Sequence, residues 1–388
     1  MFVRIGNTPR DYAWGSTTAI AGLLGTEPGG GPEAELWLGA HPGSPARVLD
    51  PAIAGGAADL AAWERTSDLP YLLKVLAADG PLSLQAHPSP EQARAGFERE
   101  NAAGLAADSA DRNYKDPFHK PELIFALSDP FEALCGFRDP AESRAALERL
   151  AAGSTGGAVI SGFARTLDGE PGAVLRRATE WLLGGDTDVD LLVAEVVAAA
   201  RTLPDDRDAD TVRMLDAAFP GDPGIVLALL LNRATLRPGE VLYLPAGNIH
   251  AYLRGLGIEL MAASDNVLRG GLTRKRIDVP ELVSVLDFSP IHATPLAPEH
   301  PEPGVEVFRP DVPDFQLARV VLDGEVAEAR LDLPGTAIAL CTDGTVSLAG
   351  ASGSITLRRG EATVVTADEG AVTAANGPGT VFVATPNR

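Results

Sequence analysis

Three short stretches of this chain carry side chains able to hold a metal ion. In Ser83-Leu84-Gln85-Ala86-His87-Pro88 an extended backbone alternates its faces, so Gln85 and His87 point one way and Leu84 and Ala86 the other. By itself, an amide beside an imidazole in a strand is more often surface decoration than a ligand pair. His119-Lys120-Pro121-Glu122, preceded by Lys115-Asp116, puts an ammonium and a carboxylate on one face, which alone reads as a surface ion pair. Pro121 has no N–H for a neighbouring strand and marks an edge or irregular position. Pro245-Ala-Gly-Asn-Ile-His250-Ala-Tyr is a turn that launches a strand bearing one histidine, of a kind more often hydrogen-bonded in a core. Together, Gln85, His87, Glu122 and His250 supply two imidazoles, a carboxylate and a neutral amide. That donor set suits one zinc ion per chain, with a position left for water or substrate.

A fourth stretch, Glu259 to Arg276, carries Asp265 and then Arg269, Arg274, Lys275 and Arg276, four cations within eight residues and beside Gly270-Gly271. Guanidinium donors next to glycines that let backbone N–H groups approach a ligand suit a phosphate, although a solvated basic loop has the same composition. The formal net charge is −21, so an anionic ligand must be met by cations gathered locally. All but four of the 32 basic residues are arginines, and the lysines, Lys74, Lys115, Lys120 and Lys275, fall in these stretches or in the β-like run from Tyr71. Lysine is kept where a compact, titratable ammonium is useful. The same acidity argues against nucleic acid or a membrane surface as a partner.

The elements that must position these residues follow from the pattern around them. Short β-like runs such as Tyr71 to Ala77 and Leu82 to Ala86 fill the first third, with Asp79-Gly80 as a turn and Ser89-Pro90 opening a helix. Near Asp139 the texture changes to Ala, Leu, Arg and Glu at helical spacing, and the last helix is expected to run through IVLALLLN after Asp222-Pro223-Gly224. After Arg237-Pro238-Gly239 short β-like runs return and continue to the end. Leu236-Arg-Pro-Gly-Glu-Val is echoed by Leu357-Arg-Arg-Gly-Glu-Ala, as two related β units would produce, and only the first copy has a histidine downstream. The expectation is a mainly β chain with a helical insert: a metal-binding unit over 1–137 and 233–290, helices over 138–232, and a second β unit without metal over 291–388. Cys135 and Cys341, far apart and without C-x-x-C spacing, exclude a disulfide framework and suit a reducing, cytoplasmic setting. No secretory signal is read at the start, and the longest apolar run, Ile225 to Leu231, is too short to span a bilayer.

YAWG (Tyr12 to Gly15), ELWLGAHP (Glu35 to Pro42), YLLKVL (Tyr71 to Leu76), LSLQAHP (Leu82 to Pro88), HKPE (His119 to Glu122), LPAGNIHAYL (Leu244 to Leu253) and MAASDNVLRGGLT (Met261 to Thr273) closely resemble type I mannose-6-phosphate isomerases. The resemblance spans about the first 290 residues in the family's order. It implies two cupin-like β-sandwich or barrel units, zinc on Gln85, His87, Glu122 and His250, and active-site roles for Trp14, Ser83, Lys74, Lys120, Glu259, Asp265, Arg269 and Lys275. The chain departs from the family at Phe118, where Asn is usual, and at Arg274, where Pro is usual.

The activity implied is interconversion of mannose 6-phosphate and fructose 6-phosphate through a cis-enediol(ate) by a monomeric enzyme with a small sugar-phosphate substrate. Lys120, Glu259 and His87 are candidates for the base, with His87 disfavoured as a ligand, Arg269 for the developing negative charge and Lys275 for the phosphate. The residues alone leave open another metal-dependent enzyme of the same fold, a sugar-phosphate binding module without turnover, and a wider hexose-phosphate specificity.

Overall fold

The computed structural model describes residues 1–66, 69–153 and 157–387. The chemistry-bearing residues sit on a nine-stranded sheet organised about one long strand, His250–Ala262. The second half of that strand pairs with Tyr71–Ala78 on one side and Glu122–Ala126 on the other. Its first half pairs with Gln85–Ala86 and Phe131–Phe137. One strand is thus the neighbour of the segments that carry Lys74, Gln85 and Glu122.

Which face carries chemistry is decided by what covers the back. Leu84, Ala86, Ile249, Ala251 and Leu253 enter an apolar cluster with Leu147, Leu150, Leu175, Leu192 and Ile225 of the helical region. Burying such a face at about 25 cal/mol per Å2 is the main force holding helices to sheet. Side-chain alternation then turns Gln85, His87, His250 and Tyr252 to the opposite face. A register shift between Tyr252 and Arg254 inserts a bulge, which changes the parity of the strand. It brings His250 and Tyr252 to the face that carries Glu259 and, through the paired register, Lys74 and Glu122.

The helices run Pro140–Ala152, Ala158–Thr166, Pro171–Leu183, Thr187–Ala200 and Arg207–Ala218. Asp139, Glu170, Asp186 and Asp206 accept first-turn N–H groups, and Pro140 and Pro171 stand at the first positions, so local sequence fixes most starts. The expected last helix is corrected. Only Gly224–Leu227 is α-helical, Ala228–Leu230 is a 3-10 turn, and Leu231–Leu236 is already a strand paired with Phe131–Phe137. A run apolar on every side satisfies a buried helix and a buried strand equally, and here tertiary pairing decides.

The second, ten-stranded sheet contains the strands from Val305 to Thr385 but is not made of 291–388 alone. Phe2–Gly6 pairs with Ala362–Val365, and Arg47–Val48 pairs with Phe2–Gly6. The alternating buried Val3 and Ile5 earn those first residues a place in the second sheet. The two sheets share an apolar cluster that includes Leu73, Val75, Phe125, Ile338, Leu340 and Phe382.

The sequence echo is a structural one. In both copies a strand turns through a glycine at positive φ, Gly239 or Gly360, into Val241–Leu244 or Ala362–Val365. In both, the glutamate after the glycine accepts from the arginine three residues earlier: Arg237 N–H to Glu240 at 2.8 Å, and Arg358 N–H to Glu361 at 2.9 Å.

Candidate metal centre

His87 Nε2 lies 3.2 Å from Glu122 Oε1, and His250 Nε2 lies 3.4 Å from Glu122 Oε2. One donor atom from each of His87, Glu122 and His250 lies within 4.8 Å of the others, and all three residues are buried. Both imidazoles are oriented from behind. His87 Nδ1 is 2.7 Å from the Asn266 carbonyl oxygen and His250 Nδ1 is 3.1 Å from that of Asn248. A carbonyl can only accept, so each ring carries its proton on Nδ1 and turns the Nε2 lone pair to the common point.

The Gln85 amide reaches the same point, 3.3 Å from His250 Nε2. A half-turn about its last bond exchanges nitrogen for oxygen there. Despite the crowding, His87 Nε2 and Glu122 Oε2 have no hydrogen-bond partner. Unpaired buried polar atoms cost about 1–3 kcal/mol each, a cost that a cation bound at the centre removes. The donors therefore fit a zinc ion on the geometry of this chain.

Electrostatics point the same way. Burial, and then the charge of Lys120, push the His87 imidazole down to about 4, so it is neutral and available at neutral pH. Burial alone would raise the Glu122 carboxyl, but the opposing influence of its surroundings, the Lys120 ammonium first, holds it well below the usual carboxylate range.

Around the cluster the other expected residues assemble. Lys120 Nζ is 2.8 Å from Glu122 Oε1, although Lys120 and Pro121 precede the strand that begins at Glu122. Lys74 Nζ is 2.9 Å from Glu259 and 3.6 Å from Glu35, and it stands 5.0 Å above the Trp37 ring. Burial disfavours the Lys74 charge, but Glu259, Glu35 and Glu122 more than compensate and raise its pKa. Burial also raises the Glu259 carboxyl, and Lys74 only partly offsets it. Trp14, like Leu82, packs against the apolar cluster that contains Tyr252, and its carbonyl accepts from Asp79 N–H. Ser83 lies between Leu82, which donates to the Tyr252 carbonyl, and Leu84, which donates to that of Gly271.

Arg269 pairs by register with Gln85 and is half-buried, and burial lowers its pKa. Among the described residues no carboxylate pairs with it. Lys275 is exposed and feels the Arg269 charge first, which lowers its own pKa. Two cations that repel each other, with no carboxylate between them, form a place for an anion.

Asp265 stands somewhat apart. Its carboxylate, 53% exposed, lines a cavity of ≈ 590 Å3 together with His41, Lys115, Asp116, Phe118 and Asp314. It still feels Lys120 and Lys74. Phe118 is an exposed aromatic at this cavity, and Arg274 is exposed. Sequence reasoning missed Asn266, which is fully buried and whose side chain binds the Lys115 N–H and the carbonyls of Asp116 and Phe118. It also missed Glu35, Tyr252 and His41. A signal existed for Asn266 in its position one residue after Asp265, but none distinguishes a buried Asn from a turn Asn.

The fold and the converging buried donors define a β-rich protein with one cluster of metal-ligating side chains among the described residues, and with Arg269 and Lys275 as a pair of cations in the same sheet region. Residues 2–140 match the family described as phosphomannose isomerase type I, catalytic domain. The chain is 38% identical over 385 residues to the mannose-6-phosphate isomerase of Escherichia coli, covering 95% of each, and 33% identical to that of Homo sapiens, covering 87% of this chain and 86% of the relative. It superposes along its whole length, with TM-score 0.84 and 35% identity, on a mannose 6-phosphate isomerase bound with zinc and yttrium. The same values hold for the enzyme from Salmonella typhimurium bound to substrate and zinc. The chain belongs to the type I mannose-6-phosphate isomerase family.

Proposed function

We propose that this chain interconverts mannose 6-phosphate and fructose 6-phosphate through a cis-enediol(ate), with one zinc ion held by Gln85, His87, Glu122 and His250. The observation that carries the reading is the buried cluster itself: two imidazoles fixed from behind, with their free nitrogens and the Glu122 carboxylate aimed at one point. Relatives bearing the isomerase name at high coverage support it. A bound zinc ion would act as a Lewis acid toward the substrate oxygens.

The shift from aldose to ketose moves one proton from C2 to C1 and another from the C2 hydroxyl to the C1 oxygen. We assign these transfers to Lys120, beside the cluster, and Asp265, whose carboxylate opens to the cavity. Glu259 is 4% exposed and held by Lys74, so its part is to fix Lys74 and the charge balance of the floor. Arg269 supplies positive charge for the developing enediolate, and Lys275 with it meets the phosphate. Trp14 and Ser83 close the wall next to Tyr252.

The two sheets are proposed as cupin-like units, the helical segment 138–232 being inserted into the first, and their repeated turn supports a common origin. A monomer in the cytoplasm is proposed. Both cysteines are free and buried, the exposed large apolar residues fall in four separate segments, with only Leu49 and Ile53 in the same one and Phe118, Val159 and Leu191 elsewhere, and no helix among the described residues is long and apolar enough to cross a membrane.

Turnover of mannose 6-phosphate in deuterium oxide, followed by NMR, tests the chemistry. Solvent deuterium entering C1 of the fructose 6-phosphate supports an enediol(ate). Complete retention of the original hydrogen over many turnovers would sink it.

A further inference from the structure

His41 lies outside the metal cluster, and its two ring nitrogens have different partners. Nδ1 accepts the Gly43 N–H at 3.0 Å. A nitrogen that accepts carries no proton, so in the neutral ring the proton sits on Nε2, which lies 3.1 Å from Asp265 Oδ1. The ring is held edge-on by Trp37, with centroids 4.9 Å apart at 88°. Trp37 in turn donates from Nε1 to Glu35 at 2.8 Å and lies beneath Lys74. The Gly43 contact has little slack, since a Cβ at Gly43 would come within 3.1 Å of His41 Nδ1. From behind, the Asp265 backbone N–H is held by Asp116 at 2.8 Å. His41 Nε2 is the side-chain nitrogen that stands within ion-pair distance of the Asp265 carboxylate, at 3.1 Å, and both residues line the same cavity.

We propose that His41 is a positioning residue. Locked into its Nε2–H form by Gly43 and Trp37, it aims the Asp265 carboxylate into the cavity for proton transfer to and from the sugar. The inference rests on the isomerase reading given above. A carboxylate on an exposed loop position has several staggered orientations, and one charge-assisted hydrogen bond from a ring that cannot itself rotate selects among them. Misplacing a reacting group by about 1 Å costs on the order of 100-fold in rate, which sets the scale of the effect. The contact with His41 is also the first cause of the lowered pKa of Asp265, ahead of the charges of Lys120 and Lys74.

Two amide substitutions separate the nitrogens. Glutamine places an N–H near the position of Nε2 and keeps the bond to Asp265. Asparagine places its amide near Nδ1, keeps the bond to Gly43 and loses Asp265. With zinc content and unfolding midpoint recorded for each protein, His41→Gln is expected to keep kcat within about threefold, whereas His41→Asn loses about 10- to 100-fold in kcat with a smaller change in KM. Equal losses in the two variants, or a larger loss in His41→Gln, would overturn the proposal, because a purely structural ring has no reason to favour glutamine. Nitrogen-15 NMR of the imidazoles is independent of turnover. The resonance missing from His41→Asn should report protonated Nε2 and unprotonated Nδ1 in the wild type, and the reverse tautomer would overturn the proposal. If the wild type shows no isomerase activity yet has this tautomer, the functional reading fails while the geometry stands.

Discussion

Asn266→Ala should loosen the metal centre without touching a metal ligand. The Asn266 side chain is fully buried and accepts the Lys115 N–H at 2.7 Å while donating to the carbonyls of Asp116 and Phe118, both at 2.8 Å. Its own carbonyl oxygen receives the His87 Nδ1–H at 2.7 Å. One residue therefore ties the loop leading to Lys120 and Glu122 to the imidazole of His87. Truncation removes three well-formed bonds worth a net of about 1 kcal/mol each, so a loss of about 3 kcal/mol of unfolding free energy is expected. The carbonyl stays but loses its fixed placement, and weakening the support behind a ligating histidine typically costs about 10- to 100-fold in metal affinity. Urea unfolding of the metal-free and metal-loaded forms, together with zinc titration against a competing chelator, measures both quantities. A variant with wild-type unfolding midpoint and wild-type zinc affinity would refute the reasoning, since the bonds would then be shown to hold nothing in place.

Two further outcomes follow from the cation pair. Arg269→Ala should lower kcat/KM by about 100- to 1,000-fold with zinc still bound, measured by a coupled assay and metal analysis; near wild-type kcat would remove Arg269 from the chemistry. Lys275 is held below the ordinary lysine value by Arg269 and by partial burial. A bound phosphate dianion favours the ammonium, so affinity is complete below the lowered pKa and falls as pH rises through it. KM for the phosphorylated sugar should begin to rise at a lower pH in the wild type than in Arg269→Gln, and coincident profiles in the two proteins would show that Arg269 does not depress Lys275.

Much of this site was legible in the sequence because its parts lie on strands, where period-2 alternation fixes which neighbours share a face. Gln85 and His87 diverge from Leu84 and Ala86 as alternation requires, even though the paired strand is only Gln85–Ala86. The turn echo was legible for a related reason: a glycine at positive φ and a glutamate closing back on an arginine N–H are local devices written in adjacent residues. The bulge after Tyr252 was not legible. It reverses the parity between His250 and Glu259, and simple alternation would have put them on opposite faces. IVLALLLN was misread because uniform apolarity has no period, and the membership of Phe2–Gly6 in the second sheet depends on residues more than 350 positions away. Asn266 and His41 act through partners distant in sequence, which no spacing rule reports.

The central claim, a catalytic zinc held by Gln85, His87, Glu122 and His250, is tested most directly by stripping the purified protein with a chelator and titrating zinc back while following mannose 6-phosphate turnover. The account predicts activity that is lost on stripping, returns in proportion to bound zinc and saturates at about one ion per chain, the number this donor set can hold. Turnover that survives complete removal of the metal, or is restored without zinc entering this cluster, would contradict it.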